Sequence, residues 1–401
     1  MKTLVNYLQL DHVGGLELLF AFYPILAGYS YGFLRMDLLL LLILDMMAMS
    51  RKKGILRCTP LKWFVVLVIV HEITVFLITG GSSTHLNNFI SICIFIFSLF
   101  ILAPAINYEK LTGSILWVSI LCMAGLLYHF LLIQVGHSVS PLLLLPNPGG
   151  ESRANEIGDR PISFFWEPAV YAAYMLIPLF SSITEKKFAW TGVIAFTILL
   201  STSTNGIVYS FVILAIYAFS QKVKKSVKYG IMILSIVLAF FFATSSLFEA
   251  GRDKIDSTEY ETTSRLYNGP ALLMNLPTEH LLWGIPRYNI YQYYSQTNYL
   301  RTTYLMEKNE EIFVPVFYFI ITKYGIFVMI IYIWYIISLF YRDKRLWPYL
   351  TIVVLSMFVT SNILSSFWVY QMAFIFAFTK TDNSHRKNKA RKTVAHQWIA
   401  K

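Results

Sequence analysis

AWTGVIAFTILLSTSTNGIVYSFVILAIYAFS, residues 189–220, is a 32-residue run without a charge. As one helix it would be about 48 Å long, against a hydrocarbon core of about 30 Å. Its centre, Ser201-Thr202-Ser203-Thr204-Asn205-Gly206, is polar, and basic residues flank both ends at Lys186-Lys187 and at Lys222, Lys224, Lys225 and Lys228. The run must therefore turn back as two apolar helices. Residues 347–378 repeat the pattern, with Ser361-Asn362 and Ser365-Ser366 at the middle. Each arm is short, so a re-entrant pair and a full crossing both remain open for these two hairpins.

The rest of the chain extends this reading. Hydrophobic residues make up 56% of it and mean hydropathy is +0.57, well outside the range of soluble domains, in which about a quarter of residues are charged. The apolar runs do not alternate in character as barrel strands would. The expected fold is an all-α integral membrane protein with about 12 transmembrane helices, at 14–33, 36–49, 61–79, 89–106, 114–134, 162–183, 189–203, 206–220, 229–248, 312–340, 347–361 and 363–378. The first run starts late and lacks a small-residue cleavage site after it, so it reads as a span and not as a removable signal. Cys58, Cys93 and Cys122 are odd in number and suggest neither a disulfide framework nor a metal site.

The net charge of +11 is placed in a way that excludes nucleic acid as the partner. The excess sits in short loops and the tail: Arg51, Lys52, Lys53, Arg57 and Lys62, then Lys186 and Lys187, Lys222 to Lys228, Arg342 to Arg345, and the residues from Lys380 onward. With the N-terminus in the cytoplasm, these segments all fall on the cytoplasmic side, as the positive-inside rule requires. The expected organisation is helices 1–9 over 1–248 with an outer loop at 135–161, a large, partly helical outer loop at 249–311, the last helices over 312–378, and a basic cytoplasmic tail at 379–401. Both termini lie inside.

Sorting the cations by side separates two tasks. Lys predominates on the inner side. Outside stand Arg35, Arg153, Arg160, Arg252, Arg265, Arg287 and Arg301, against Lys254, Lys308 and Lys323. Arg suits planar, bidentate capture of phosphate or carboxylate. The outer face therefore reads as built to hold anionic groups, the alternative being that these arginines pair with the acids of the same loop. Arg160-Pro161-Ile-Ser-Phe-Phe-Trp166-Glu167-Pro168 opens the sixth span and puts the Glu167 carboxylate just inside it, either as a functional group or in a structural salt bridge. In the large loop, Ser264-Arg265 precedes an apolar segment at 270–276, expected as a helix lying over the membrane. Trp283-Gly284-Ile285-Pro286 then reads as a tight turn that brings Arg287 back toward it. Tyr288, Tyr291, Tyr293, Tyr294, Tyr299 and Tyr304 follow as either a sugar platform or an ordinary interfacial belt. Inside the spans, Asp45, His71 and Glu72 stand out, and His71 with Glu72 is expected to form a buried pair.

The order of these elements resembles the O-antigen polymerase and O-antigen ligase superfamily of bacterial polysaccharide assembly. The matching pieces are Arg160 to Pro168, Ser201 to Gly206 at a bend, Ser264-Arg265 leading to Leu282-Trp-Gly-Ile-Pro-Arg287, and Lys323-Tyr-Gly-Ile326 in the next span. They cover about residues 150–340. The resemblance implies a metal-independent membrane glycosyltransferase without cofactor in the bacterial inner membrane, with its active site on the periplasmic side. Undecaprenyl-diphosphate-linked oligosaccharide would be both donor and acceptor, with membrane lipid and a chain-length regulator as further partners. It implies that Arg160, Arg265 and Arg287 hold the diphosphate leaving group. Glu167, His280 or Glu279 would serve as general base, His280 being otherwise a loop histidine bonded to backbone. Arg153, Arg301, Tyr288, Tyr299 and Asn298 would contact the substrate. Ligases carry a His-Asn pair late in this loop, where Gln296-Thr297-Asn298-Tyr299-Leu300 lacks the His, so the departure favours the polymerase over the ligase. A lipid-linked oligosaccharide flippase or other transporter remains the reading from a different class.

Overall fold

The structure is a computed structural model that describes residues 13–31, 34–51, 54–145, 160–220, 259–287, 289–294, 314–358 and 363–380, with isolated positions between 228 and 244 and at 312 and 360. It is an all-α membrane protein. Helix α1 (Gly15–Phe22) passes through a 3-10 turn, Tyr23–Gly28, into a two-residue hairpin of β1 (Ser30–Tyr31) and β2 (Leu34–Arg35). Then follow α2 (Met36–Ser50), α3 (Thr59–Thr79), α4 (Ser83–Ala105), α5 (Tyr108–Gln134), α6 (Pro168–Thr184), α7 (Phe188–Leu200) and α8 (Thr204–Ser220). The large loop contributes α9 (Glu259–Met274), α10 (Thr278–Trp283) and α11 (Ile290–Tyr294). The chain closes with α12 (Val316–Tyr324), α13 (Ile326–Arg342), α14 (Trp347–Ser356) and α15, residues 366–380.

Helix ends follow local chemistry. Pro60 stands in the first turn of α3, where its missing N–H costs nothing, and Gly80 ends the helix at φ +71°. The Ser82 hydroxyl accepts from the His85 amide to start α4, and the Asn107 side chain accepts from the Lys110 amide to start α5. Pro168 opens α6 behind Glu167, the N-cap residue.

Among the described residues three helices, α3, α4 and α5, are long and apolar enough to cross a membrane, and the pair α13 with the Lys344–Ser356 segment makes a fourth if its 113° bend lies within one span. Twelve crossings are not shown among the described residues, and the expected span 229–248 lies largely outside them. The first expected span, 14–33, is α1 with a 3-10 turn and a hairpin. The expected span 312–340 is broken at Gly325 into α12 and α13. Residues 189–220 break at Ser201–Ser203 into α7 and α8. Apolar side chains face outward on the long helices, among them Leu77 (74% exposed), Phe97 and Ile330, as lipid contact requires.

The most enclosed element is α15, in which every side chain from Phe367 to Phe378 except Gln371 is buried. Tyr370 stacks on Tyr174 of α6 at 5.5 Å, Phe374 meets Tyr349 of α14, and the Tyr335 hydroxyl of α13 reaches the Met372 sulfur. Polar side chains fasten its start: the Ser366 hydroxyl donates to Asp37, which also receives the Arg35 guanidinium at 2.8 Å. At the foot of α1, Glu17 is fully buried and takes two hydrogen bonds from Arg51 and one from the Asn107 amide. A charge so enclosed is tolerated because each carboxylate oxygen is satisfied.

The large loop has a small core of its own. Leu272, Leu276, Ile285, Ile290, Tyr294 and Val314 cluster, and α9 packs on α12 with Gly269 pressed against the Tyr318 ring.

Candidate functional site

Two glycines bring the large loop onto the broken span. Gly284 and Gly325 hold φ near +86° and +89° with ψ near 165°, a region open essentially to glycine alone. A Cβ on Gly284 would lie 2.3 Å from the Lys323 carbonyl oxygen, and one on Gly325 would lie 2.2 Å from that of Leu282. The two chains cross backbone to backbone, and the Ile285 amide donates to the Thr322 carbonyl at 3.0 Å. The loop motif Leu282–Arg287 and the span motif Lys323–Ile326 thus form one structural unit.

Beneath this crossing lies a buried polar cluster. Glu72, two-thirds of the way along α3, offers one carboxylate oxygen to the Lys323 ammonium at 3.4 Å and the other to the His85 ring at 3.2 Å. All three side chains are nearly inaccessible, and the Lys323 ammonium also donates to the Arg287 carbonyl at 2.7 Å. The expected pairing of His71 with Glu72 is not what forms. Adjacent residues on a helix point about 100° apart, so His71 turns instead to the Tyr324 ring, edge to face at 5.2 Å. Lys323, counted from the sequence among the outer cations, is enclosed.

A second meeting joins the other two motif segments. Arg160 is buried, and its Nε donates to the Thr202 hydroxyl at 2.7 Å while a terminal nitrogen donates to the Thr202 carbonyl. The guanidinium is thereby tied to the α7–α8 bend, and Gly206 just beyond allows α8 to close on Ala172 of α6. Ser163 anchors the strand from Arg160 to Glu167. Its amide donates to His129 Nδ1 at 3.1 Å, its hydroxyl to the Cys122 carbonyl at 2.7 Å, and its carbonyl accepts from the Leu142 amide. Glu167 is half-buried, and its carbonyl takes the first helical hydrogen bonds of α6 from Val170 and Tyr171.

Other expected site residues distribute as follows. Arg287 is exposed on the turn after α10, held at its carbonyl by Lys323. His280 on α10 has Glu279 at 3.8 Å and packs edge to face on Tyr293 at 5.4 Å. Burial and the Glu279 charge push the Tyr293 phenol above its ordinary value. Arg265 lies on α9, its side chain outside the described residues, as are Arg153, Arg301, Tyr288, Tyr299 and Asn298. Of the tyrosine series, Tyr293 and Tyr294 pack at 4.6 Å, but Tyr294 points into the loop core. Arg35, expected among the anion-holding arginines, is engaged bidentately by Asp37.

His85 and His129 are the residues that sequence reading passed over, and Thr202, named there only within the polar bend, proves to be the partner of Arg160. The signal for the cluster was present: one acid and one base stood in different apolar runs, where each alone would be costly. Among the described residues no three His, Cys, Asp or Glu side chains converge as a metal-ligand set. Compared with known protein families and with curated proteins, the chain matches none.

Proposed function

We propose that this protein is a polymerase of lipid-linked glycan repeat units, moving a growing glycan from undecaprenyl diphosphate onto a lipid-linked repeat at the periplasmic face of the inner membrane. The observation that carries the reading is the crossing at Gly284 and Gly325, which fastens an exposed arginine turn onto the break of an apolar helix pair. A diphosphate at the membrane surface, with its lipid tail in the bilayer, needs cationic donors at that level and held still.

In this scheme the acceptor hydroxyl attacks the anomeric carbon of the donor sugar. A new carbon–oxygen bond forms, the bond to the phosphate oxygen breaks, and its electron pair leaves on undecaprenyl diphosphate. The Arg287 guanidinium stabilises that charge. The same electrostatic principle makes a single preorganised donor worth about 10²–10³-fold in acyl-transfer enzymes. His280 takes the hydroxyl proton. Arg160 holds the α7–α8 bend in shape.

The buried Glu72–Lys323–His85 cluster favours a second reading, a lipid-linked oligosaccharide transporter, because such proteins place ionisable groups at mid-membrane. One experiment separates the two. Purified protein in liposomes with lipid-linked repeats lengthens them if it is a polymerase, and Arg287→Ala stops the lengthening. Movement of unextended repeats between leaflets, with no lengthening, rejects the polymerase.

A further inference from the structure

We infer that Lys323 is a positioning residue: its ammonium, neutralised by Glu72, fixes the Arg287 turn by gripping the Arg287 backbone carbonyl from below. The functional part of this inference rests on the polymerase reading; the grip itself does not.

Burying an ammonium is expensive, so the question is what holds it there. Glu72 faces it at 3.4 Å and supplies the opposite charge, and the Tyr324 ring lies at 5.8 Å. Neither contact involves the loop. The remaining bond does: the ammonium reaches across the crossing to the Arg287 carbonyl at 2.7 Å, and a hydrogen bond from an ionised donor is among the stronger ones available. Glu72 is itself fixed on its far side by His85, whose amide is capped by Ser82 at the start of α4. An unbroken path of polar contacts therefore runs from the α3–α4 turn, through Glu72 and Lys323, to the turn that carries Arg287. The partner acts on the backbone, so the Arg287 guanidinium is not consumed by the contact that orients it. The Ile285 amide, bonded to Thr322, is the second tie on the same turn.

Hydrogen exchange of the full chain in nanodiscs tests the grip. In Lys323→Met the amides of residues 281–285 and 287 exchange at least about tenfold faster, while those of α5 keep their protection. Unchanged exchange over 281–287 in a folded Lys323→Met protein overturns it. Should the single variant fail to fold, Glu72→Gln/Lys323→Met removes both charges together and carries the same test. The functional arm is epistasis. Lys323→Met slows lengthening of lipid-linked repeats, and Lys323→Met/Arg287→Ala is no slower than Arg287→Ala alone, because one residue acts through the other. Additive losses overturn the positioning role. If Arg287→Ala lengthens repeats at the normal rate, Arg287 has no part in the reaction and the positioning role falls; if the unaltered protein lengthens none, the polymerase reading fails while the exchange result still decides the grip.

Discussion

Gly284 and Gly325 face one another so closely that a Cβ on Gly325 would lie 2.9 Å from the Gly284 nitrogen. Neither has room for a side chain, and neither holds a backbone conformation that a side chain tolerates. Gly284→Ala and Gly325→Ala should each cost about 2–4 kcal/mol, from backbone strain and overlap together. Gly192→Ala, on α7 with nothing within 4 Å of a Cβ, is the matched control and should be neutral or slightly stabilising. Thermal unfolding midpoints in detergent check the contrast.

Arg287→Ala should lower the rate of repeat lengthening by about 10²–10³-fold with little change in the unfolding midpoint. Arg287→Lys keeps the charge but loses the planar fork and should recover only part of the rate. Rates from purified protein on lipid-linked repeats decide this, and equal rates for all three proteins would remove Arg287 from the site.

Arg160 and Thr202 should be energetically coupled. Arg160→Met and Thr202→Val each remove the bond to the Thr202 hydroxyl, while the bond to the Thr202 carbonyl is lost only with Arg160, so the double variant should be less destabilised than the sum of the singles by about 1–3 kcal/mol. A double-mutant cycle on unfolding midpoints that closes to zero would show that the bend does not depend on this contact.

The Glu17–Arg51 pair carries a sharper asymmetry. Arg51→Met leaves a fully buried carboxylate with only the Asn107 amide, and should cost about 3–5 kcal/mol. Glu17→Gln/Arg51→Met removes both charges and should recover most of that loss. Yields of folded, monodisperse protein together with unfolding midpoints provide the measurement.

The reach of the sequence can be judged residue by residue. The break at Ser201–Ser203 was legible because an uncharged run too long for one crossing has a polar centre where the helix can stop. The break at Gly325 was not, since the apolar run continues on both sides and a lone glycine there is compatible with an unbroken helix. The turn at Trp283–Pro286 was legible from its Gly and Pro, whereas the partner of that turn was hidden, because contacts between segments leave no mark in local pattern.

Hydropathy, charge placement and turn chemistry therefore pointed, unaided, to an all-α membrane protein, to a break in the 189–220 run, and to Arg160 to Pro168, Ser201 to Gly206 and Leu282 to Arg287 as segments to watch, while Lys323 to Ile326 entered through the resemblance alone. Those are properties of short windows, set by the thickness of a bilayer and the rotational freedom of single residues. Only the tertiary structure decided how the segments pair: Arg160 with Thr202, Gly284 with Gly325, and Glu72 with Lys323 and His85 in place of His71. A buried charge must find its counter-charge wherever packing brings one within reach, and that distance is fixed by the whole bundle rather than by neighbours in the chain.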